Sequence, residues 1–551
     1  MLRSMASHPA VVERLARLAP DQRAAATAPP GPILCVAPAG SGKTTTLVAR
    51  IAWLVDEGVD PGQIAAISFN RKAAVELAER LEVALEPLGR PTGAVRVRTF
   101  HALGLEILRE AGEPTAPLLD REAVLRTALP DTTPAERRRL DTIISRLKLD
   151  LGVEATAVAA DPEAGPLARA FVAYEQAIAE AGGLDFDDLV VRSTRLLETE
   201  PPVLASWRAR CAHLLVDEAQ DLDRSQLRMA LLLAAPANRI FLVGDDDQSI
   251  YGWRLADVRR LLALAETSLP GLRRVDLVTN YRCPAAVISR AVRLIEGNRE
   301  RFDKRIAARP DAPGAVILAP LTADDADRCH AVLRSWVAAP GGPGGPRGGG
   351  DDTFGILTRT NRELLPAVVA ALARDVPFRA TGLELPVESP LVDGLLHAAA
   401  GGSGWARSPL VALTALRPDA GEEARPILAA LLAWAPAYPD LAALAAAIAD
   451  VRARLARLRR DDAALTLATA HATKGLEFDH VAVVDMDDGR FPSARSIADA
   501  EDPRRALEEE RRLAYVAWTR ARRSLTLVYD PDAPSVFLRE AFEPWELEPA
   551  A

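Results

Sequence analysis

Short, uninterrupted apolar runs punctuate the first part of the chain: Ile33-Leu34-Cys35-Val36, Ile64-Ala65-Ala66-Ile67-Ser68-Phe69 and Val95-Arg96-Val97. Stretches with helical spacing separate them. Continuous apolar runs alternating with helices predict a parallel sheet covered on both faces. From about 106 to 184 the runs vanish and the pattern becomes helical, with charged faces. Strand-like runs return at His213-Leu214-Leu215-Val216 and Ile240-Phe241-Leu242-Val243. A helical insertion in an α/β domain is the expected result. A second alternation starts near Arg274-Val275-Asp276-Leu277-Val278 and continues through Ala315-Val316-Ile317-Leu318 and Phe354-Gly355-Ile356-Leu357. Ala/Leu/Pro-rich helical sequence interrupts it over about 384–464, and it resumes at Val481-Ala482-Val483-Val484 and Leu525-Thr526-Leu527-Val528. The chain therefore predicts two α/β domains, 1–105 with 185–275 and 276–383 with 465–551. Each carries a mainly helical insertion, 106–184 and 384–464. The glycine- and proline-rich stretch from Pro340 to Gly350 cannot pack a core and is predicted as a surface loop.

Composition narrows the function classes. The 551 residues contain four cysteines, Cys35, Cys211, Cys283 and Cys329, far apart and without a CxxC pair. That spacing speaks against a zinc site, an iron–sulfur cluster or a disulfide framework, and predicts reducing cytosol. The N-terminus has no signal-peptide pattern and no apolar run reaches membrane-span length, so no membrane partner is expected. The formal net charge of −9 argues weakly against nucleic acid, but phosphate contact needs only a local basic channel. Two basic stretches are candidates: Arg137-Arg138-Arg139 with Arg146 and Lys148, and Arg452 to Arg460. Each reads equally well as a solvated helix face or a DNA-facing one.

Candidate chemistry begins after the first apolar run. Ala37-Pro38-Ala39-Gly40-Ser41-Gly42-Lys43-Thr44 joins that strand to the helical stretch Thr44-Thr45-Thr46-Leu47-Val48. Small residues let backbone N–H groups curl around a β-phosphate. Lys43 reaches the β- and γ-oxygens, and the Thr44 hydroxyl suits Mg²⁺. The following helix turns its N-terminal dipole to the same place. A nucleoside triphosphate is the predicted ligand. Ala37 stands where the generic pattern has glycine.

A second acidic pair, Asp217-Glu218 in Val216-Asp217-Glu218-Ala219-Gln220-Asp221, closes another apolar run. Asp217 is placed to hold Mg²⁺ through water, and Glu218 to deprotonate an attacking water. Hydrolysis of a nucleoside triphosphate is the expected chemistry.

At this point the chain resembles the superfamily 1A helicases of the UvrD/Rep/PcrA group, in order and through nearly its whole length. Gln22 resembles the Q motif. Phe69-Asn70-Arg71-Lys72-Ala73-Ala74 resembles motif Ia, and Thr99-Phe100-His101 motif Ib. Asp185-Phe186-Asp187-Asp188-Leu189 is similar to the family's acidic stretch. Gly244-Asp245-Asp246-Asp247-Gln248-Ser249-Ile250-Tyr251-Gly252-Trp253-Arg254 resembles motif III. Asn280-Tyr281-Arg282 resembles motif IV and Arg359-Thr360-Asn361 motif IVa. His471 to Phe478 resembles motif V, and Glu508 to Arg512 with Tyr515 to Ala521 motif VI.

The resemblance implies two RecA-like motor domains with ATP held between them. It assigns Lys43, Asp217, Glu218, Gln248, Arg282 and Arg520 to catalysis. Gln22, Ala39, Gly40, Ser41, Gly42, Thr44, Thr45, Tyr281 and Glu477 are assigned to nucleotide and metal binding. The two arginines would neutralise charge on the transferring phosphoryl group, with both supplied by the second domain. For single-stranded DNA, Trp253 is the leading base-stacking candidate, with Tyr251 and Phe69 beside it. His101, Arg254, Arg359, His471 and Lys474 are secondary candidates. The implied activity is an ATP- and Mg²⁺-dependent DNA helicase or translocase moving 3′ to 5′, in repair or recombination, with duplex junctions as partners.

Two departures from the family pattern bear on this. Pro38 stands where the family usually has glycine, which removes one N–H and fixes φ. The segment 384–464 is short for the family's 2B domain, so autonomous unwinding is less firmly implied than translocation. The alternative is a motor, or a nucleotide-switched DNA-binding subunit, in a repair or phage-defence complex with a protein partner. Glu218, Gln248 and Arg520 together argue against a dead ATPase.

Overall fold

The computed structural model describes residues 7–161, 165–337, 352–401 and 404–548. The segment Pro340–Gly350, expected as a loop, lies outside the described residues. The chain divides into two compact units, Met1–Pro313 with Ala500–Tyr515, and Gly314–Asp499 with Val516–Ala551.

In the first unit six parallel strands form one sheet. They are β1 (Ile33–Val36), β2 (Ile64–Ile67), β3 (Arg96–Arg98), β4 (His213–Val216), β5 (Ile240–Gly244) and β6 (Arg273–Asp276), in the order β3-β2-β4-β5-β1-β6. Successive side chains of a strand point to opposite faces. Leu34 and Val36 accordingly pack with Phe100, Leu103 and Trp207 in one core. Ile33 and Cys35 pack with Leu47, Ile51 and Leu54 in another. Both faces are covered, which is why these strands read as unbroken apolar runs. A short parallel pair, β7 (Thr279–Asn280) with β8 (Ala307–Ala308), also belongs to this unit.

The segment 106–184 is mainly helical among its described residues. Its helices close a small core of Leu125, Leu140, Ile144, Phe171, Tyr174 and Ile178. A buried ionic knot fastens it where the chain re-enters the α/β body. Arg121 pairs with Asp185 at 2.6 Å and with Asp187 at 2.7 Å, and Lys148 pairs with Asp188 at 2.7 Å.

The second unit has its own six-stranded parallel sheet. Its strands are β9 (Ala315–Pro320), β10 (Phe354–Thr358), β11 (Phe378–Arg379), β12 (Leu465–Thr469), β13 (Phe478–Val483) and β14 (Ala521–Tyr529), in the order β11-β12-β10-β13-β14-β9. Within 384–464, the helices Leu391–Ala400, Pro409–Thr414, Ala424–Trp434 and Leu441–Leu458 bury a core that includes Val392, Leu396, Leu413, Leu431 and Leu444. Among the described residues no single helix is long and apolar enough to cross a membrane.

The division of the chain differs from the expected one in one respect. Residues 276–313 and 500–515, expected in the second domain, pack with the first unit. Hydrogen bonds from Asn280 to the loop after β1 and ion pairs from Lys304 to the loop after β5 hold the first of these segments.

Candidate functional site

The loops that follow β1, β4 and β5 leave the same end of the first sheet, the end where parallel α/β sheets bind ligands. After β1, Ala37 N–H donates to Gly244 O at 2.8 Å and Ser41 N–H to Pro38 O at 3.1 Å. Gly40 (φ +65°) and Gly42 (φ +85°) take left-handed conformations that L side chains resist. A Cβ on Gly40 would lie 2.7 Å from Arg282 Cβ, so the loop is closed down as well as bent. Gly42 then caps the 14-residue helix Lys43–Asp56. The Ser41 hydroxyl is buried and its Oγ has no hydrogen-bond partner in the protein. Left-handed glycines, a helix N-terminus, Lys43 and an orphaned hydroxyl fit a polyphosphate. Thr44 is half-buried in the first helical turn, and Thr45 beside it is exposed.

The carboxylates come from β4. Asp217 N–H donates to Ile67 O at 2.9 Å, which continues the ladder by one residue. Glu218 is left-handed (φ +51°), a conformation uncommon outside glycine and often found at functional sites. Its Oε2 lies 3.6 Å from Lys43 Nζ and accepts from Gln220 Nε2 at 2.6 Å. Gln220 Oε1 in turn accepts from Asp245 N–H at 2.9 Å. Gln248, on the turn after β5, donates from Nε2 to Asp245 Oδ2 at 2.6 Å. Lys43, Glu218, Asp245 and Gln248 thus belong to one connected set.

Asn280-Tyr281-Arg282 is tied to the loop after β1. Asn280 Nδ2 donates to Ala39 O at 2.6 Å and Tyr281 N–H to Gly40 O at 2.8 Å. Asn280 Oδ1 accepts from the N–H groups of Arg282 and Cys283. Arg282, expected from the second domain, therefore sits in the first unit beside Gly40. The Tyr281 ring is exposed.

Gln22 is buried, and both ends of its amide are engaged within the protein. Oε1 accepts from Ala19 N–H at 3.1 Å and Nε2 donates to Ser41 O at 2.7 Å. The Gln22 side chain thereby supports the glycine loop.

An aromatic group occupies the neighbouring loops. Phe69 and Tyr251 stack with centroids 5.1 Å apart, and Tyr251 meets Trp253 edge-on at 6.1 Å. Trp253 is 59% exposed, with the Arg254 guanidinium 4.9 Å from its ring. Glu509 lies directly behind Gly252, where a Cβ would collide with its carboxylate. His101 stacks at 4.0 Å on Phe186, an exposed ring that the sequence reading quoted only as part of the acidic stretch. Burial pushes the His101 imidazole down to about 4, with Arg254 adding and Asp187 opposing. It is neutral at pH 7, so it offers a ring and a hydrogen bond, not a charge. Exposed aromatic rings with an adjacent guanidinium suit unpaired bases.

The remaining candidates belong to the second unit. Arg520 is buried and donates from Nε to Val516 O at 2.9 Å and from Nη1 to Leu476 O at 3.1 Å. Glu477 is exposed, 3.9 Å from Arg522. Burial, then Arg359, push the His471 imidazole down to about 4. Arg359 donates to Ser496 Oγ at 3.1 Å. Lys474 is half-buried in the turn after β12.

The basic stretches are largely committed to ion pairs. Lys148 is buried against Glu175, Asp185 and Asp188. Arg137 is buried against Glu122. Arg452 pairs with Asp393, Arg457 with Asp375, Arg459 with Glu388 and Arg460 with Asp462. Lys148 and Arg137 therefore cannot face DNA, while Arg138, Arg139 and Arg146 are exposed. Arg301 and Lys304, which pair with the carboxylates after β5, were not among the sequence candidates. Their only signal was two cations in an ordinary charged stretch.

Two protein-family models match the chain. The UvrD/REP helicase N-terminal domain matches residues 18–268, and the UvrD-like helicase C-terminal domain residues 440–531. DNA helicase II of Escherichia coli (strain K12) is 28% identical over 618 residues, which takes in 92% of this chain and 84% of the relative. DNA helicase II of Salmonella typhimurium gives the same identity and coverage. ATP-dependent DNA helicase PcrA of Staphylococcus aureus (strain Mu50) is 34% identical over 303 residues, 52% of this chain and 40% of the relative.

Proposed function

The chain belongs to the UvrD/REP family of ATP-dependent DNA helicases, ATP-hydrolysing enzymes, and on that premise we propose that it moves 3′ to 5′ along single-stranded DNA. Hydrolysis drives strand separation at duplex junctions, in DNA repair or recombination. The observation that carries the reading is the connected set of Lys43, Glu218, Asp245 and Gln248 beside the glycine loop.

Backbone N–H groups of Ala39, Gly40, Ser41 and Gly42 hold the β-phosphate, with Lys43 on the β- and γ-oxygens. Thr44 and Asp217 would hold Mg²⁺, which offsets phosphate charge when bound. Glu218 takes the proton of the attacking water, and Gln248 orients that water. Arg282 and Arg520 supply positive charge to the transferring phosphoryl group. Tyr281 stacks on the base, Gln22 supports the loop and meets the adenine edge, Thr45 lines the helix start and Glu477 serves the ribose. Trp253, Tyr251, Phe69 and His101 form the platform for unpaired bases, with Arg254, Arg359 and His471 contacting the strand. The hydrogen bond from Gln220 keeps the half-buried Glu218 carboxylate in one place, which favours a positioned attack over a diffusive one.

Duplexes with either a 3′ or a 5′ single-stranded tail test the direction. Separation of the 3′-tailed duplex alone supports the proposal, and preference for the 5′ tail refutes it. The compact, mainly helical insertion within 384–464 supports a second reading, a motor subunit that hydrolyses ATP on DNA without separating strands alone. Stimulated hydrolysis with neither duplex opened selects that reading.

A further inference from the structure

Three consecutive carboxylates, Asp245, Asp246 and Asp247, are wholly buried in the turn after β5. Buried charges of one sign persist only with partners, because desolvation and mutual repulsion both oppose them. The partners come from one short segment. Lys304 Nζ donates to Asp245 Oδ1 at 2.7 Å, contacts Asp246, and lies 3.0 Å from Asp247. Arg301 meets Asp247 in a two-pronged pair at 3.0 and 2.9 Å. Phe302 N–H donates to Asp246 Oδ2 at 2.7 Å.

We propose that Lys304, assisted by Arg301, is a positioning residue for hydrolysis, because the carboxylate it fixes is the one that orients Gln248. Asp245 divides its two oxygens between them: Oδ1 accepts from Lys304 and Oδ2 from Gln248 Nε2 at 2.6 Å. The same residue's N–H donates to Gln220, which holds Glu218. One ammonium therefore has a single residue, Asp245, between it and Gln248, and two, Asp245 and Gln220, between it and Glu218. Burial would drive the Asp245 carboxyl up, but Lys304 first, then Lys43, hold it below the usual range. It stays an acceptor.

The segment that presents Lys304 is itself fastened. Asn298 Nδ2 donates to Glu508 O at 3.0 Å, and the Glu508 carboxylate accepts from the N–H groups of Arg299 and Glu300, each at 3.1 Å. Arg512 Nη2 donates to Glu300 O at 2.6 Å. A cation on so fixed a backbone can dictate the geometry of what it binds.

This inference rests on the reading of Gln248 as a residue that serves hydrolysis. The test is a double-mutant cycle on the full chain. DNA-stimulated kcat and KM are measured for Lys304→Met, Gln248→Ala and the pair, with affinity for a fluorescent ATP analogue measured alongside. Each single change is expected to lower kcat by about tenfold or more and to leave analogue affinity within about threefold. The pair is expected to fall no further than Gln248→Ala alone, within about twofold. Losses that multiply overturn the proposal and leave the reading of Gln248 intact. An unchanged kcat in Gln248→Ala overturns that reading and the proposal with it. Should Lys304→Met fail to fold, Asp245→Asn takes its place in the same cycle. Losses that multiply there overturn the proposal equally, and losses that do not multiply support it.

Discussion

The Lys43 ammonium lies 3.6 Å from the Glu218 carboxylate. Each side chain is the other's nearby counter-charge, and both belong to the proposed triphosphate site. Arrival of a polyphosphate would draw Lys43 toward phosphate oxygens and leave Glu218 with Gln220, whose Nε2 already donates to it at 2.6 Å. The carboxylate would then be available as a proton acceptor without having to move far.

Removing either partner separates binding from chemistry. Lys43→Ala is expected to lower turnover by on the order of 10²–10³ and to weaken nucleotide binding, since it deletes a charge that meets the phosphates. Glu218→Gln is expected to lower turnover by about 10²–10⁴ and keep nucleotide affinity. Steady-state hydrolysis and a fluorescent-nucleotide titration read the two effects. Normal DNA-stimulated turnover in Lys43→Ala would sink the phosphate-loop assignment.

Gly40→Ala combines strain and collision. The residue has φ +65°, and its new Cβ would meet Arg282 Cβ at 2.7 Å and Asn280 Nδ2 at 2.9 Å. A loss of about 1 kcal/mol or more in stability is expected, together with weaker nucleotide binding. Gly89→Ala is the control: its φ is +66°, but nothing lies within 4 Å. That variant should show the strain in thermal unfolding and bind nucleotide normally. Equal nucleotide affinity in the two variants would contradict the argument.

Trp253→Ala removes an exposed ring, so the fold should tolerate it. Affinity for single-stranded DNA is expected to fall by about 1–3 kcal/mol, the usual worth of one base stack. Stimulation of hydrolysis by limiting DNA should fall in parallel, while basal hydrolysis without DNA is unchanged. Fluorescence anisotropy with a labelled oligonucleotide measures the first effect. Unaltered DNA affinity would return Trp253 to a structural role.

The strand ends and turns at β1, β4 and β5 were legible in the sequence because each element is local. A strand, a turn and the start of a helix fit within about fifteen residues, and the glycines and charges follow at fixed offsets. The grouping of Phe69 with Tyr251 and Trp253 is not local and was implied by the resemblance of their two stretches to motifs Ia and III. What the sequence hid is non-local. Lys304 and Asp245 stand 59 positions apart, and nothing in the run Arg301 to Arg305 distinguishes it from a solvated face. Lys148 read as a possible DNA contact, yet it is buried against Asp185 and Asp188. Strand β12 (Leu465–Thr469) lies in an alanine- and threonine-containing run whose apolar signal is weak, and β11 is only two residues long. The allocation of 276–313 to the first unit depends on contacts such as Asn280 with Ala39, which span 241 positions.

His213 gives a pH signature. Burial, then Arg239, push its imidazole from 6.5 down to about 4. In the unfolded chain it takes a proton near 6.5, while the folded chain holds it off until about 4. The unfolded state therefore binds more protons between these values, and stability falls as pH drops through that window. The slope contributed is at most about 1.4 kcal/mol per pH unit. His213→Gln should unfold in urea with a shallower pH dependence between pH 6.5 and 4.5. His101 and His471, pushed down to about 4 by the same cause, retain their share of the slope. Identical slopes in the variant and the parent chain would contradict the assignment.

The most direct measurement is ATP hydrolysis by the full chain with and without single-stranded DNA. If the Lys43–Glu218–Gln248 set is coupled to the proposed aromatic DNA platform, a low basal rate rises at least about tenfold on adding an oligonucleotide, as a gated phosphoryl-transfer site does. A rate that does not change with DNA would contradict the central claim that this chain is a DNA-driven motor.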